Sequence, residues 1–395
     1  MIKFFLKNDQ IAFYGFILIT LGFISYSIFV SLGFFPPFLG GWYGFANLLI
    51  LIFMVLNLKD FFNIFLRFNY YGILVFIFYI YVIGFSSIYL FTSSINLISP
   101  FTHFFLNLTY GFILFYLGLN LKFDEKLKFF LQSFFIISCI LLFLYFIQTG
   151  NFMLNTAKNA TEFLDGEEAA SYQTFGRTGF LCLSLLIFLL NSFYRILLVQ
   201  IGGIFILFFL GARSETLAFI FISSFFLFFK TQFKLERILL LLSLFLLFLI
   251  FIISNTDLLH ETRFGQLLDF STSTSWQARQ EFYNYGLEVI RNSPFLGEFG
   301  SSYIKYNDIG ANPHHIIAAW SNFGILGFVL FVLCCLIPVL SSFYYIVFRE
   351  RRDLNLYFSA IFGLCCIFLL FSSKSIFWII PPFYWGVYLS YFKKV

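Results

Sequence analysis

Apolar runs long enough to cross a bilayer recur along the whole chain, and one of them, LLLLSLFLLFLIFII from Leu239 to Ile253, carries no charge at all. About 20 apolar residues span a bilayer as a helix, and lipid leaves the backbone only two options, helices or closed barrels. A barrel strand alternates polar and apolar every second residue, so a continuous run selects the helix. Hydrophobic residues make up 61% of the 395 and charged residues 11%, which excludes a soluble globular domain. The expected fold class is all-α: a polytopic integral membrane protein with spans at roughly 11–32, 42–58, 71–91, 100–120, 129–148, 177–194, 196–211, 214–229, 236–254, 316–345, 355–372 and 375–391. That makes about twelve, and an even number puts both termini on one side. The start MIKFFLKNDQ and the apolar run after it, with no small-residue cleavage site, read as a signal anchor.

Charge orients this array. With the N terminus inside, the inner segments hold Lys3, Lys7, Lys59, Arg67, Lys122, Lys126, Lys128, Arg195, Lys230, Lys234, Arg237, Arg349, Arg351, Arg352, Lys393 and Lys394, two thirds of the basic residues. Short basic loops stay in the cytoplasm, so both termini are expected there. The remaining cations, Lys158, Arg177, Arg213, Arg263, Arg279, Arg291, Lys305 and Lys374, fall outside. The net charge of +5 is dispersed between apolar runs, which argues against a nucleic-acid partner. All six cysteines (Cys139, Cys182, Cys334, Cys335, Cys365 and Cys366) lie in apolar runs without CxxC spacing. Neither a disulfide framework nor a zinc site is expected, and no cofactor.

Two external segments emerge: an acidic one, 149–176, with Glu162, Asp165, Glu167 and Glu168, and a larger one, 255–315. The division is thus 1–254 with helices 1–9, 255–315 as a helical external cap loop, and 316–395 with helices 10–12, all one membrane domain. Within the cap, TSWQ at 274–277 has the form of a capping box. Trp276, Tyr283, Leu287 and Ile290 follow at helical spacing, predicting an amphipathic helix of about 16 residues that lies along the membrane surface. It ends at Asn292-Ser293-Pro294, and Gly297 and Gly300 mark turns beyond.

The chemistry concentrates on this outer side. Arg213, between two apolar runs with Glu215 beside it, reads either as a functional cation or as a helix-turn arginine paired with Glu215. Arg279 sits near the N-terminal end of the amphipathic helix, where a cation is unfavourable without an anion nearby. Its alternative is a solvated arginine near Glu281. Arg291, at the other end, suits the helix dipole. His314 and His315 precede the tenth span and are pinned at the membrane surface, whereas His103 and His260 lack such a context. Paired guanidinium forks match phosphate oxygens, and an imidazole can take a hydroxyl proton near neutral pH. Arginines with histidine on the outer face therefore suggest transfer from a phosphate-activated lipid donor to a hydroxyl. No Asp-x-Asp cluster faces outside, so no bridging metal is expected.

Three stretches resemble one family in order and context. GARSETLAF at 211–219, SWQARQEFYNYGLEVIRNSPFLGEFG at 275–300 and PHHIIAAWSNFGILGF at 313–328 are similar to the motifs of the O-antigen polymerase and ligase superfamily. The resemblance implies a GT-C-like fold in the bacterial inner membrane with a periplasmic cavity, and donor and acceptor glycans on undecaprenyl diphosphate. It also implies inverting, metal-independent transfer, and a chain-length regulator in the inner membrane as a further partner. Carried over, Arg213 and Arg279 hold the diphosphate, His314 or His315 acts as the base, and Arg177, Arg291 and Glu215 support the site. Two departures bear on this: His315 stands where the family pattern has Asn, and Ala212 precedes the first arginine where Ser is usual. The His-His-Ile-Ile-Ala-Ala-Trp-x-Asn-Phe-Gly form and the 149–176 loop favour a polymerase. A ligase acting on lipid A–core is the alternative, and a transporter or flippase for lipid-linked oligosaccharide the second.

Overall fold

The structure, a computed structural model, describes residues 7–31, 34, 41–57, 69–92, 97–149, 172–210, 212–230, 274–308 and 311–394. The expected ninth span (236–254), Arg263, His260 and the acidic run Glu162–Glu168 lie outside them. Among the described residues every regular element is helical. In chain order these are α1 (Asn8–Ile17), a π-helical turn (Leu18–Gly22), α2 (Phe23–Ser31), α3 (Gly41–Leu56), α4 (Asn69–Thr92), α5 (Ile98–Asn120), α6 (Glu125–Thr149), α7 (Tyr172–Leu189), α8 (Phe193–Phe209), α9 (Arg213–Lys230), α10 (Thr274–Asn292), α11 (Ser301–Tyr306), α12 (Ala318–Phe348), α13 (Leu354–Ser372) and α14 (Pro381–Lys394).

Six described helical stretches are long and apolar enough to cross a membrane. Their outward faces say what surrounds them. On α4, Val75, Phe78, Tyr79 and Val82 are buried, yet Ile73, Phe76, Ile77 and Ile80 on the other side are exposed by 50%, 43%, 47% and 55%. A helix that is apolar on both its packed and its open face needs lipid to cover the latter. The protein is membrane-embedded.

The chain divides into two compact units, one formed by 1–16, 46–123 and 277–395, the other by 17–45 and 124–276. In the first, α5 and α14 cross with backbones touching. A Cβ on Gly118 would strike the carbonyl of Phe383, and one on Gly386 the carbonyl of Phe115. Small residues permit such contact between membrane helices. Around this crossing α12 carries Pro338 in its interior. Proline has no N–H to give the carbonyl four residues back, and an orphan carbonyl in hydrocarbon costs several kcal/mol. Buried Tyr71 on α4 supplies the missing donor, giving its hydroxyl to the Cys334 carbonyl at 2.8 Å, and Tyr384 on α14 donates to the next carbonyl, that of Cys335, at 3.0 Å.

The last helix departs from the expected 375–391. Residues 373–380 are non-helical and α14 starts at Pro381, because a Pro-Pro pair fits only the first turn, where N–H groups have no intrahelical partner. In the second unit, α7, α8 and α9 pack on one another, and α7 and α8 also pack on α6. The π turn leaves the Leu18 carbonyl to accept the Trp42 indole N–H at 2.8 Å.

Candidate functional site

The backbone of α12 is broken at its seventh residue. Gly324 has φ 66° and ψ −175°, a combination that only glycine adopts without strain. In an unbroken helix the Ile325 N–H would donate to the Ser321 carbonyl. Here that pair is opened and the loop 293–300 fills both halves. Ile325 N–H donates to the Pro294 carbonyl at 3.2 Å, and the Ser321 carbonyl accepts Glu298 N–H at 2.7 Å. The Trp320 indole adds a bond to the Pro294 carbonyl at 2.8 Å, and Gly300 N–H donates to the Asn322 side chain at 3.3 Å. Tyr81 and Tyr89 on α4 donate to the carbonyls of Phe323 and Gly297, at 2.8 and 2.7 Å. A Cβ on Gly324 would collide with the carbonyl of Phe295. The Ser-Pro-x-x-Gly turn and the late glycine of the next helix, two separate motifs in the sequence, are the two halves of one clamp.

The clamp fixes both ends of a short path. Helix α10 runs into the loop at Ser293, and the segment 311–317 runs into α12. The two meet again at Gly286, where a Cβ would lie 2.7 Å from the Pro313 ring. This shapes the packed face of α10. Its most buried positions are Gly286 and Val289, while Leu287 and Ile290 are half-buried and Tyr283 is exposed. The helix begins at Thr274 and ends at Asn292, as its capping and stop signals predict. The side chain of Trp276 lies outside the described residues.

His314 and His315 sit in this clamped segment, both half-buried, and they differ. His315 accepts the Ile317 N–H through Nδ1 at 3.2 Å, satisfying a donor at the entry to α12. Its ring is held edge-on between Tyr283 of α10, at 5.2 Å, and Phe371 at the end of α13, at 5.7 Å. His314 is placed among charges instead. Burial, with the positive fields of Arg279 and Lys374 added, pushes its pKa from the ordinary 6.5 down to about 4. At neutral pH its ring is uncharged and has a lone pair to accept a proton. Arg279 is half-buried on α10, one turn before Tyr283 and on the same face.

The first unit therefore brings together Arg279, His314, His315 and Lys374. Arg291 lies apart, exposed in the last turn of α10, where it complements the helix dipole. The second unit holds Arg177, Arg213 and Glu215. Helix α7 meets the start of α9 at Gly176, where a Cβ would run into Ala212 and come within 3.8 Å of the Glu215 carboxyl. Arg177 and Arg213, both half-buried, each follow one of the touching residues. Glu215 is buried in the first turn of α9, as suits an acid at a helix start, and accepts the Ser214 hydroxyl at 2.8 Å.

Lys374 was not among the expected site residues. The sequence does carry a trace of it: it is an outer-side cation in the short loop before the last span, against the general charge bias. Lys374 N–H shares the Leu369 carbonyl with Ser373 N–H, both at 2.8 Å, and its ammonium stands 5.9 Å from the Trp378 ring.

Fold and site together define a helical, membrane-embedded protein that holds a neutral histidine beside two cations, next to a backbone clamp. No family model matches the sequence, and no curated protein matches it either.

Proposed function

We propose that the protein is a glycosyltransferase of the inner membrane that polymerises a surface polysaccharide from lipid-linked repeat units. The observation that carries this reading is His314, kept neutral beside a guanidinium. A proton acceptor within the field of a guanidinium that can hold phosphate is what transfer from a glycosyl diphosphate to a hydroxyl needs. The remaining parts follow the resemblance: about twelve spans in a GT-C-like arrangement, both termini cytoplasmic, and the cap loop periplasmic.

In the proposed reaction His314 takes the proton of an acceptor sugar hydroxyl. The hydroxyl oxygen attacks the anomeric carbon from the face opposite the leaving group. The bond from that carbon to the phosphate oxygen breaks, and its electron pair leaves on undecaprenyl diphosphate, whose growing charge Arg279 stabilises. Configuration inverts without a metal, as the resemblance implies. Arg213 is the phosphate ligand that the resemblance names in the second unit. His315 holds the segment in place.

The test is purified protein with a lipid-linked repeat unit, followed by electrophoresis of the product. A ladder of lengths supports the reading. Deleting the gene and separating the surface glycan on a gel adds the comparison with a ligase. Loss of a polymerase leaves one repeat on the core, and loss of a ligase leaves none. Uptake of the lipid-linked unit into vesicles with no change in glycan length would point to a transporter.

A further inference from the structure

A cavity lies in the first unit among α4, α5, α12, α14 and the non-helical segment that leads into α14. Two contacts set its depth. The ring of Phe377 lies 5.6 Å from that of Phe104, and a Cβ on Gly111 would come within 3.3 Å of the Pro382 ring. Phe104 and Gly111 stand about 9 and 20 Å along α5 from its start at Ile98, at about 1.5 Å per residue. Residues 377–382 therefore run beside α5 inside the span, and α14 begins near mid-membrane. Irregular backbone at that depth is tolerated where it is buried in protein or lines a cavity. The lining, from Phe78 on α4 to Trp385 on α14, carries no charged side chain. Its rim reaches the lipid: Leu108 is half-buried, and Phe105, one turn before it on the same face, is exposed.

The wall holds a donor that the described residues leave unmet. Trp378 is 4% exposed, and among those residues nothing accepts its indole N–H. Trp42 and Trp320 show the usual arrangement, each giving its N–H to a carbonyl at 2.8 Å. A buried donor calls for an acceptor, and the walls narrow what that acceptor is. A phosphate or carboxylate oxygen would lose its hydration with no cation in the lining to replace it, so the oxygen is a neutral one. The body that carries it is apolar, to match the rings, and it arrives from the bilayer, where the rim opens. An acyl chain with its ester carbonyl meets all three conditions. We infer that the cavity is a slot for one acyl chain of a diacyl glycerophospholipid, whose ester carbonyl accepts the Trp378 N–H. This lipid belongs to the bilayer and takes no part in the reaction, so the inference stands apart from the proposed function.

The full-length protein in detergent is cross-linked to a phosphatidylethanolamine that carries a diazirine on one acyl chain, and mass spectrometry locates the adducts. They should fall on the lining, at Phe104, Leu108 or Phe377. Competition for those adducts then ranks three unlabelled lipids: a diacyl phosphatidylethanolamine, its diether analogue with the same chains and no carbonyls, and a polyprenyl phosphate. The diacyl lipid should bind about 2–10-fold tighter than the diether, the worth of one hydrogen bond between neutral groups. Trp378→Phe keeps a ring and removes the N–H, so there the diacyl lipid should fall to the level of the diether. Leu108→Trp, which fills the rim, should weaken both. Equal affinity for diacyl and diether lipid in the wild type overturns the inference, as does an ester preference that survives Trp378→Phe. Adducts confined to the outer surface, or left unchanged by Leu108→Trp, dismiss the slot. Tighter binding of the polyprenyl phosphate than of the diacyl lipid also overturns it and gives the cavity to a lipid carrier.

Discussion

At the scale of single residues, the two histidines have different fates despite being neighbours. His314→Ala should eliminate chain extension, since a general base contributes about 100–10,000-fold. His315→Ala should cost less in chemistry and more in stability, because it removes a helix-entry acceptor and an aromatic wedge. His314→Gln separates base from hydrogen-bonding group: it keeps a bond but accepts no proton at neutral pH. Near-normal laddering in that variant, at matched expression, would remove His314 as base. The pH profile gives an independent check. A histidine works as base only when neutral, and a lowered pKa keeps it neutral to lower pH. The acid limb of kcat/KM, which reports the free enzyme, should therefore lie near 4 rather than 6.5. An acid limb of kcat/KM at 6.5 would contradict the assignment. For the arginines, Arg213→Ala and Arg279→Ala should each nearly abolish polymer while the protein remains in the membrane. Loss of a bond to developing charge costs about 3–4 kcal/mol, and lysine should rescue poorly because it lacks the fork. Wild-type chain lengths in either alanine variant would return that arginine to a structural role.

Among the elements, α12 is the one whose sequence and shape part company. Its apolar run, read as one span over 316–345, gives no sign that the helix opens at Gly324. The break exists because another segment, 293–300, occupies the opened bonds, and hydropathy has no access to a partner 30 residues away. The same limit hid the packed face of α10. Periodicity weighs side chains, so it favours Tyr283, Leu287 and Ile290 and passes over Gly286, whose value lies in having none. What the sequence did carry were the ends of α10 and the motif glycines, without the reason for them. Gly324→Ala tests that reason. The new methyl meets the Phe295 carbonyl in a backbone conformation disallowed to alanine, at about 1–3 kcal/mol for the strain alone. The variant should melt lower in detergent and lose polymer. Gly84→Ala is the control: a Cβ there meets nothing within 4 Å, and alanine is the better helix former. Equal melting temperatures for Gly324→Ala and the wild type would dismiss the clamp.

For the whole molecule, the two signals in the sequence have unequal reach. Apolar length located the described spanning helices well: 71–91 is α4 at Asn69–Thr92, 100–120 is α5 at Ile98–Asn120, and 355–372 is α13 at Leu354–Ser372. It failed at the last span, where the apolar residues 375–380 are not helical and proline chemistry decides the start. Sidedness is carried by charge instead, and every functional proposal depends on it, because an outer cation cluster has a lipid-linked periplasmic substrate only if that side is outer. Basic residues in short loops favour the cytoplasmic side, and on that ground Arg349, Arg351 and Arg352 between α12 and α13, and Lys122, Lys126 and Lys128 before and within the first turn of α6, are expected there. Reporters fused after Glu125, Phe233 and Glu350 should thus read cytoplasmic, and those after Asp165, Phe270 and Lys305 periplasmic. The fusion after Phe270 is the decisive one. It lies just before α10, with an even number of expected spans between it and Asp165, so an error in one helix assignment cannot leave both readings intact. A cytoplasmic reading at Phe270 would put Arg279, His314 and Lys374 on the side of nucleotide-activated sugars, and the donor would have to be sought there.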